Sequence, residues 1–232
     1  MILKYFISFF LISALHLVAE LISWNNISIC TKPLLMPLLL VGMYGATNKK
    51  TRLAFPFRAA FVALIFSTAG DVFLLMEKGT HQDIYFFLGL GAFLIAHYMY
   101  IRTFLSLGSN PIRLRWIGLY MVYLIFFLGV LYPGMPLSLK IPVTLYGIVL
   151  TTMAWYAWRA CSSFSFFGLL PVIGSFLFVA SDSLLAINRF RMPIPYAGFL
   201  IMLTYLLAQF SIIQGVLLKI KSESNQVNSL MH

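Results

Sequence analysis

Two aspartates stand inside long apolar segments of the chain. Asp71 follows Gly70, and Asp182 lies between two serines; each precedes a further apolar run. A charged carboxylate in a bilayer core costs several kcal/mol, so such residues usually face a protein interior and have a function. Each aspartate lies six residues before a polar residue that ends its segment, Glu77 and Asn188. At about 1.5 Å per residue, both carboxyls lie roughly 9 Å below the same end of their helices.

Two carboxyls at one depth could act as a general acid and a general base. Neighbouring carboxyls in a site removed from water do not readily ionise together, so one pair can supply both functions. The structural alternative is that each carboxyl caps a neighbouring group or pairs with a basic side chain. The shared depth favours a functional role for the pair.

Other polar side chains could assist the aspartates. Glu20 lies one turn from Trp24, where it is either interfacial or part of a site. The intramembrane residues that could orient a substrate, or could only make packing hydrogen bonds, are His97, Tyr100, Tyr205 and Gln209. The basic residues at the mouth nearest the aspartates are Lys32, Lys140, Arg189 and Arg191. This basic group is either a solvated rim or a clamp for a lipid phosphate.

Several common chemistries have no support in the sequence. The four histidines form no HxxxH or HExxH pair, which argues against a zinc hydrolase. A Gly-x-Ser-x-Gly elbow, a P-loop and a dinucleotide-binding fingerprint are also absent from the sequence. We therefore expect a site without a metal and without an organic cofactor.

Composition indicates which elements must position the aspartates. The 232 residues are 61% hydrophobic and 9% charged, with a mean hydropathy of +0.94, whereas soluble domains carry about 25% charged residues. The sequence predicts an all-α, polytopic membrane protein with a single transmembrane domain over 1–221 and a polar, disordered cytoplasmic tail over 222–232. The net charge of +10 fits basic loops that orient the helices rather than a nucleic-acid partner.

Eight segments are long and apolar enough to cross a bilayer, which takes about 20 residues. The predicted spans are 5–23, 30–47, 56–76, 84–104, 115–132, 141–160, 166–187 and 196–219. Eleven of the 16 Lys and Arg residues fall on the side of the N-terminus. This bias predicts that both termini are cytoplasmic, in a bacterial inner membrane, and that the aspartates lie toward the opposite face.

The two halves of the chain echo each other weakly. The segment from Gly70 to Leu75 resembles the segment from Ser181 to Ala186, 111 residues later. Two further pairs of segments are separated by similar numbers of residues. Lys32-Pro33 resembles the segment that begins at Lys140, and the fourth span resembles the eighth. The pattern is compatible with two parallel four-helix repeats, whose aspartates would face one central cavity. A chance match of apolar segments is the alternative.

The chain resembles the lysoplasmalogenase family, the YhhN-like membrane proteins, at these same residues. The short motifs that carry the resemblance occur in the family's order over nearly the whole chain: Lys32-Pro33-Leu34, Gly70-Asp71 with Leu74-Leu75, His97-x-x-Tyr100, Ser181-Asp182-x-x-Leu185-Ala186-x-x-Arg189-Phe190, and Thr204-Tyr205-x-x-Ala208-Gln209.

The resemblance implies an ether hydrolase that cleaves the vinyl ether bond of lysoplasmalogens. The products would be a fatty aldehyde and a glycerophospho-ethanolamine or -choline. Such cleavage needs an acid to protonate the β-carbon and a carboxylate to steady the resulting cation or to activate water. We predict that Asp71 and Asp182 are this catalytic pair, and either could be the acid. The predicted substrate contacts are Lys32, His97, Tyr100, Ser181, Arg189, Tyr205 and Gln209.

Two other classes of protein remain open. Parallel repeats with intramembrane acids would also suit a proton-coupled transporter. Against that class, the acids are predicted near one face of the membrane, and most Gly and Pro residues are predicted near helix ends. The third class is a lipid-binding membrane protein without catalysis.

Overall fold

The computed structural model describes residues 3–80, 82–108, 117–161 and 166–230. These residues form α-helices with short connections, and none of them is in a β-strand. The helices are α1 Ile7–Leu21, α2 Asn25–Gly45, α3 Lys49–Leu53, α4 Phe55–Thr80, α5 Asp83–Leu107, α6 Ile117–Leu131, α7 Leu137–Ala160, α8 Phe166–Phe190 and α9 Ala197–Leu230. Single 3-10 turns, Leu3–Phe6 and Tyr132–Gly134, precede α1 and follow α6.

Eight of these helices are long and apolar enough to cross a membrane. The predicted all-α architecture and its eight spans are therefore confirmed. In lipid, a helix satisfies its own backbone hydrogen bonds, which is why each apolar run of this length folds as one. The predicted start of the fifth span, near residue 115, lies outside the described residues.

The structure differs from the predicted spans in two details. A five-residue helix, α3, occupies the basic segment that the sequence indicated as a break; it begins where the Asn48 side chain accepts a 2.9 Å hydrogen bond from the Thr51 amide. The last helix continues to Leu230 and so enters the segment expected to be a disordered tail. The division into a domain over 1–221 and a tail over 222–232 stays a prediction.

Prolines lie within the helices and not only at their ends. Pro33 and Pro37 are inside α2, Pro142 is inside α7, and Pro171 is inside α8. Each proline lacks an amide hydrogen and so leaves one carbonyl of its helix without the usual partner. Pro33 and Pro37, which are central in α2, are therefore exceptions to the expectation that most Gly and Pro residues lie near helix ends.

The most extensive helix packing joins α4 to α5 and α8 to α9. Glycine allows the close approach in both pairs: the Phe93 ring of α5 covers Gly70, and the Ala208 carbonyl and Ile212 of α9 cover Gly174. Small residues at such crossings let membrane helices gain van der Waals contact. The two pairs contain the segments that echo each other in sequence, and each carries one aspartate. The repeat itself stays a prediction.

A Gly174→Ala substitution tests the α8–α9 packing. An added Cβ would lie 2.8 Å from the Ala208 carbonyl oxygen and 2.8 Å from the Ile212 backbone nitrogen, so backbone would have to move. We expect a loss of about 1–3 kcal/mol, the usual effect of overpacking, measured by thermal unfolding in detergent. The control is Gly129→Ala, where a Cβ meets nothing within 4 Å. Equal melting temperatures for the two variants would contradict the close approach.

Much of the apolar surface of the molecule is exposed. On α6, Val122 and Ile125 are each 66% exposed and Phe126 is 71% exposed. A soluble protein of this size rarely exposes such contiguous apolar area. The chain is a multi-pass membrane protein, and these exposed apolar faces are of the kind that such proteins present to lipid.

Candidate active site

An internal cavity of about 100 Å³ contains both predicted catalytic aspartates in its wall. Asp71 comes from α4 and Asp182 from α8, and Lys32 of α2 also lines the space. The rest of the wall is mostly apolar, with aromatic and branched side chains such as Phe93 and Leu128. The volume exceeds what one water molecule needs. An acyl-like chain and a reacting water could thus meet both carboxyls in one space.

Asp71 is buried, with 4% of its surface exposed. The Tyr205 hydroxyl of α9 donates a hydrogen bond of 2.9 Å to Asp71 Oδ2. Within the described residues, no cationic side chain lies within 4.0 Å of this carboxyl. A buried carboxylate that lacks a cationic partner is costly, so this arrangement suits a carboxyl that carries a proton.

Asp182 has a different set of partners. The Tyr146 hydroxyl of α7 donates to Asp182 Oδ2, and His97 Nε2 of α5 lies 3.6 Å from the same oxygen. His97 Nε2 is also 2.9 Å from the Tyr146 hydroxyl. The His97 side chain is fully buried, whereas 18% of the Asp182 side chain is exposed. Asp182 therefore combines access to the cavity with a neighbouring group that can hold positive charge.

The partners of each aspartate cross between the two packed helix pairs. Asp71 belongs to the α4–α5 pair and is held by Tyr205 of α9. Asp182 belongs to the α8–α9 pair and is approached by His97 of α5. We call this arrangement the crossed pairing. Because of it, the position of each carboxyl depends on the docking of one helix pair against the other.

Three of the predicted substrate contacts use their polar side-chain atoms in hydrogen bonds to other parts of the protein. The Tyr100 hydroxyl donates to Gln209 Oε1 at 2.5 Å, and Gln209 Nε2 donates to Ser67 Oγ at 3.0 Å. Tyr100 and Gln209 are fully buried and do not line the cavity. Ser181 lines it, but its hydroxyl donates to a backbone carbonyl of α9, that of Ile201, at 3.0 Å. These contacts brace the helices around the aspartates.

The structure places Lys32 and Arg189, two members of the predicted basic clamp, in different surroundings. Lys32 lines the cavity. Arg189 instead pairs with Glu77 at 2.7 Å and with Asp83 at 3.3 Å, and its guanidinium stacks 3.9 Å from the centre of the Phe86 ring. Arg189 thus ties the end of α8 to α4 and α5, with Phe86 between it and the cavity. Its role as a substrate contact stays a prediction.

Sequence reasoning missed Tyr146 and Tyr123, which line the cavity from α7 and α6. Tyr146 joins His97 to Asp182, and the Tyr123 hydroxyl lies 2.5 Å from Ser183 Oγ. Both are tyrosines within predicted spans, and a polar aromatic side chain in an apolar span was the only indication in the sequence that they could belong to the site. Nothing in their spacing links them to partners 36 or more residues away.

The arrangement of the two aspartates fits proton transfer by carboxyls. Within the described residues, no three His, Cys, Asp or Glu side chains come together as metal ligands. Asp71, which accepts from Tyr205 and has no ion pair within 4.0 Å among the described residues, and Asp182, which lies beside His97 and Tyr146, face the same mostly apolar space. That asymmetry is what an acid and a base acting on one small group require.

The chain is similar to several characterised membrane proteins. The YhhN family profile matches residues 27–216, a range that includes both aspartates and every predicted substrate contact. Lysoplasmalogenase TMEM86A of Bos taurus is 33% identical over 160 residues, which cover 66% of this chain and 62% of the relative. TMEM86A of Homo sapiens is 33% identical over 64% of this chain and 61% of the relative.

Lysoplasmalogenase TMEM86B of Sus scrofa is 31% identical over 63% of this chain and 58% of the relative. The aligned part of the chain thus spans about three fifths of the length of these relatives. No solved structure matches the chain. Because the family profile matches most of the sequence, the chain belongs to the YhhN family.

Proposed function

We propose that this protein is a lysoplasmalogenase, an ether hydrolase that cleaves the vinyl ether bond of lysoplasmalogens. The relatives named above are lysoplasmalogenases. The observation that carries the proposal is the presence of two differently partnered carboxyls, Asp71 and Asp182, in one apolar cavity. The substrate is a lysophospholipid whose alkenyl chain lies among the apolar side chains of the cavity wall.

Asp71 is the general acid in this proposal. It donates its proton to the β-carbon of the vinyl ether, and the electron pair of the double bond forms the new C–H bond. The α-carbon becomes an oxocarbenium ion bonded to the glycerol oxygen. The absence of a cationic partner within 4.0 Å of Asp71, among the residues described, supports the choice of this carboxyl as the proton donor.

Asp182 is the carboxylate in the same step. Its negative charge steadies the oxocarbenium ion, and it then accepts a proton from the water that attacks the α-carbon. The resulting hemiacetal then collapses to a fatty aldehyde and a glycerophospho-alcohol, as its hydroxyl proton passes to the glycerol oxygen. The proton that Asp182 accepted from water returns to Asp71. One water is consumed for each bond cleaved. Tyr146 and His97 hold Asp182 in place for this role.

The bias of basic residues supports a topology for the reaction. With both termini in the cytoplasm of a bacterial inner membrane, the aspartates lie toward the outer leaflet. A lysolipid, which has a single chain, could enter the cavity from that leaflet. Protease protection of tags at the two termini, in right-side-out vesicles, tests this orientation.

The purified protein given lysoplasmalogen is the direct test of the reaction. We expect aldehyde release, and in D2O the aldehyde should carry one deuterium on the carbon next to the carbonyl. In water labelled with oxygen-18, the glycerophospho-alcohol should stay unlabelled, because water attacks the alkenyl carbon. Label in that alcohol, or no aldehyde at all, would contradict the proposal. The saturated ether analogue is the control and should not be cleaved.

A proton-coupled carrier is the second candidate, favoured by the central prolines of α2. Prolines leave helix carbonyls unpaired, and unpaired carbonyls beside intramembrane acids occur in transporters, although α2 itself is continuous from Asn25 to Gly45. Proton-dependent uptake of lysolipid into liposomes, without aldehyde formation, would favour this candidate. A lipid-binding protein without catalysis would show neither uptake nor aldehyde.

Tyr146→Phe tests the positioning of Asp182. The variant removes the hydroxyl that donates to Asp182 and contacts His97. A hydrogen bond to a charged group contributes about 1.5–3 kcal/mol, so we expect kcat to fall about tenfold to a hundredfold, with KM and the melting temperature little changed. Tyr123→Phe is the control, since it removes a hydroxyl from the same cavity wall that contacts Ser183 instead. Equal kcat values in the two variants would refute the positioning role.

A further inference from the structure

A second pocket with a mostly polar wall opens between α1, α2, α4 and α9. It is formed by helix ends and by the turns that join α1 to α2 and α8 to α9. The cavity that holds the aspartates is mostly apolar. The two spaces therefore suit different parts of an amphipathic molecule.

The helical register places the polar pocket directly over the cavity. Three helices each carry a residue of the polar pocket that stands seven positions from a residue of the cavity: Asn25 and Lys32 on α2, Lys78 and Asp71 on α4, and Gly198 and Tyr205 on α9. Seven residues of helix rise about 10 Å. On all three helices the polar pocket lies nearer the helix end, where lipid headgroups lie in a bilayer.

The polar pocket contains one acid and one base that do not pair with each other. Glu20 accepts a hydrogen bond from the Ser28 hydroxyl, and its second carboxylate oxygen lies against Gly198. Lys78 is exposed and has no ion pair within 4.0 Å among the described residues. A pocket that holds opposite charges apart is complementary to a zwitterion.

The backbone around the pocket is also unusual. Ser23 and Tyr196 have φ angles of 57° and 56°, and they are the non-glycine residues with positive φ in the described chain. Both line the polar pocket. Residues held in this left-handed region cost free energy and cluster at ligand sites. Ser23 adopts this conformation where α1 ends, with the Ser23 and Trp24 amides donating to the Glu20 and Ala19 carbonyls.

We propose that this pocket binds the phosphoethanolamine headgroup of the lysolipid while its alkenyl chain occupies the cavity below. Glu20 accepts hydrogen bonds from the ammonium, and Lys78 binds the phosphate. The glycerol unit then spans the step between the two spaces and presents the vinyl ether to Asp71 and Asp182. This assignment rests on the proposed lysoplasmalogenase activity and specifies its substrate.

The pocket favours ethanolamine over choline. A primary ammonium has three hydrogens to donate to a carboxylate, whereas a quaternary ammonium has none and is usually bound by several aromatic faces. Among the described residues in the wall of this pocket, Tyr196 is the one aromatic. Glu20 therefore has a larger effect on ethanolamine lipids than on choline lipids.

Four alkenyl substrates test the assignment: those with phosphoethanolamine, phosphocholine, phosphate alone, and a free glycerol without phosphate. For Glu20→Gln we expect KM to rise about tenfold with phosphoethanolamine, as loss of one charged hydrogen bond predicts, and less than twofold with phosphate alone. For Lys78→Met we expect KM to rise with the three phosphate-containing substrates but not with the alkenyl-glycerol. In both variants kcat should stay within twofold of the native value. An equal rise on all four substrates would overturn the headgroup site.

Gly198→Ala gives an independent variant that keeps every charge. The added Cβ would occupy the position of the Glu20 carboxylate and push it from the pocket. We expect the same substrate pattern as for Glu20→Gln. The control is Gly91→Ala, where a Cβ meets nothing within 4 Å, and it should leave all four KM values unchanged. A Gly198→Ala protein that melts like the native one but keeps its ethanolamine preference would contradict the assignment.

A binding measurement separates the headgroup site from the reaction. Saturated alkyl lysolipids have no vinyl ether, so their affinity can be measured by titration in detergent whatever the catalytic activity. The native protein should bind the phosphoethanolamine form about tenfold more tightly than the alkyl-glycerol, and Glu20→Gln should lose most of that difference. If this preference is present and no aldehyde is formed from any substrate, the proposed reaction fails and the headgroup site stands. If aldehyde is formed but headgroups bind alike, the headgroup site fails and the reaction stands.

Discussion

Asp182→Asn is expected to lower kcat for aldehyde release by about 10²–10⁴-fold, the usual contribution of a positioned acid or base. The amide has nearly the shape of the carboxyl and can still accept the hydrogen bond from Tyr146. It cannot carry the negative charge that faces the oxocarbenium ion, and it cannot take a proton from water. The loss should therefore appear in kcat, with binding of a saturated alkyl lysolipid nearly unchanged.

Asp83→Asn is the matched control for this variant. This variant makes the same carboxyl-to-amide change at a position outside the cavity wall. The Asp83 side chain is 77% exposed and pairs with Arg189. We expect less than a twofold change in kcat. Turnover near the native rate in Asp182→Asn would end the two-carboxylate mechanism, while an equal loss in both variants would mean that the effect is structural.

Asp71→Asn should give a loss of similar size, about 10²–10⁴-fold in kcat, for a different reason. The amide cannot donate a proton to the β-carbon, so the first bond-making step has no acid. The Tyr205 hydroxyl can still donate to the amide oxygen, so the contact between α4 and α9 is kept. Removing a buried carboxyl that lacks a cationic partner should not lower the melting temperature.

The double variant distinguishes a joint mechanism from two separate effects. Because both carboxyls act as a unit in the step that protonates the substrate, Asp71→Asn/Asp182→Asn should be about as slow as the slower single variant. If the fold-loss of kcat in the double variant equals the product of the two single losses, the two carboxyls have independent roles. Ser67→Ala is the control for local packing, since it removes a hydroxyl one turn from Asp71 that contacts Gln209 instead. It should keep at least half of the native kcat.

Much of the fold follows from hydropathy alone. Runs of about 20 apolar residues leave the backbone no alternative to helix in a bilayer, so the eight spans could be predicted within a few residues. The short helix α3 could not, because its residues are polar and its beginning depends on one side-chain contact at Asn48. The presence of Asp71 and Asp182 in the wall of one cavity also agrees with the shared depth inferred from their spacing to Glu77 and Asn188.

The contacts within the site depend on how each helix is rotated about its axis. Apolar residues surround most of these helices, so their sequences give little information about which face meets which neighbour. For this reason the sequence did not point to Tyr146, and it did not reveal that Tyr100 and Gln209, which are predicted substrate contacts, bond to each other outside the cavity wall. Arg189 was expected as a free clamp, but its pairing with Glu77 joins residues 112 positions apart, which local spacing cannot reveal.

The crossed pairing also sets the order in which the site can be built. The chain is synthesised from its N-terminus, so α4 enters the membrane with Asp71 well before α9 exists to supply Tyr205. His97 of α5 likewise precedes Tyr146 and Asp182. Asp182 can meet both of its partners as soon as α8 has been made, whereas Asp71 lacks its hydrogen-bond donor in a nascent chain that ends before α9. The surroundings of Asp71 are therefore completed last, when α9 packs against the helices already in the membrane.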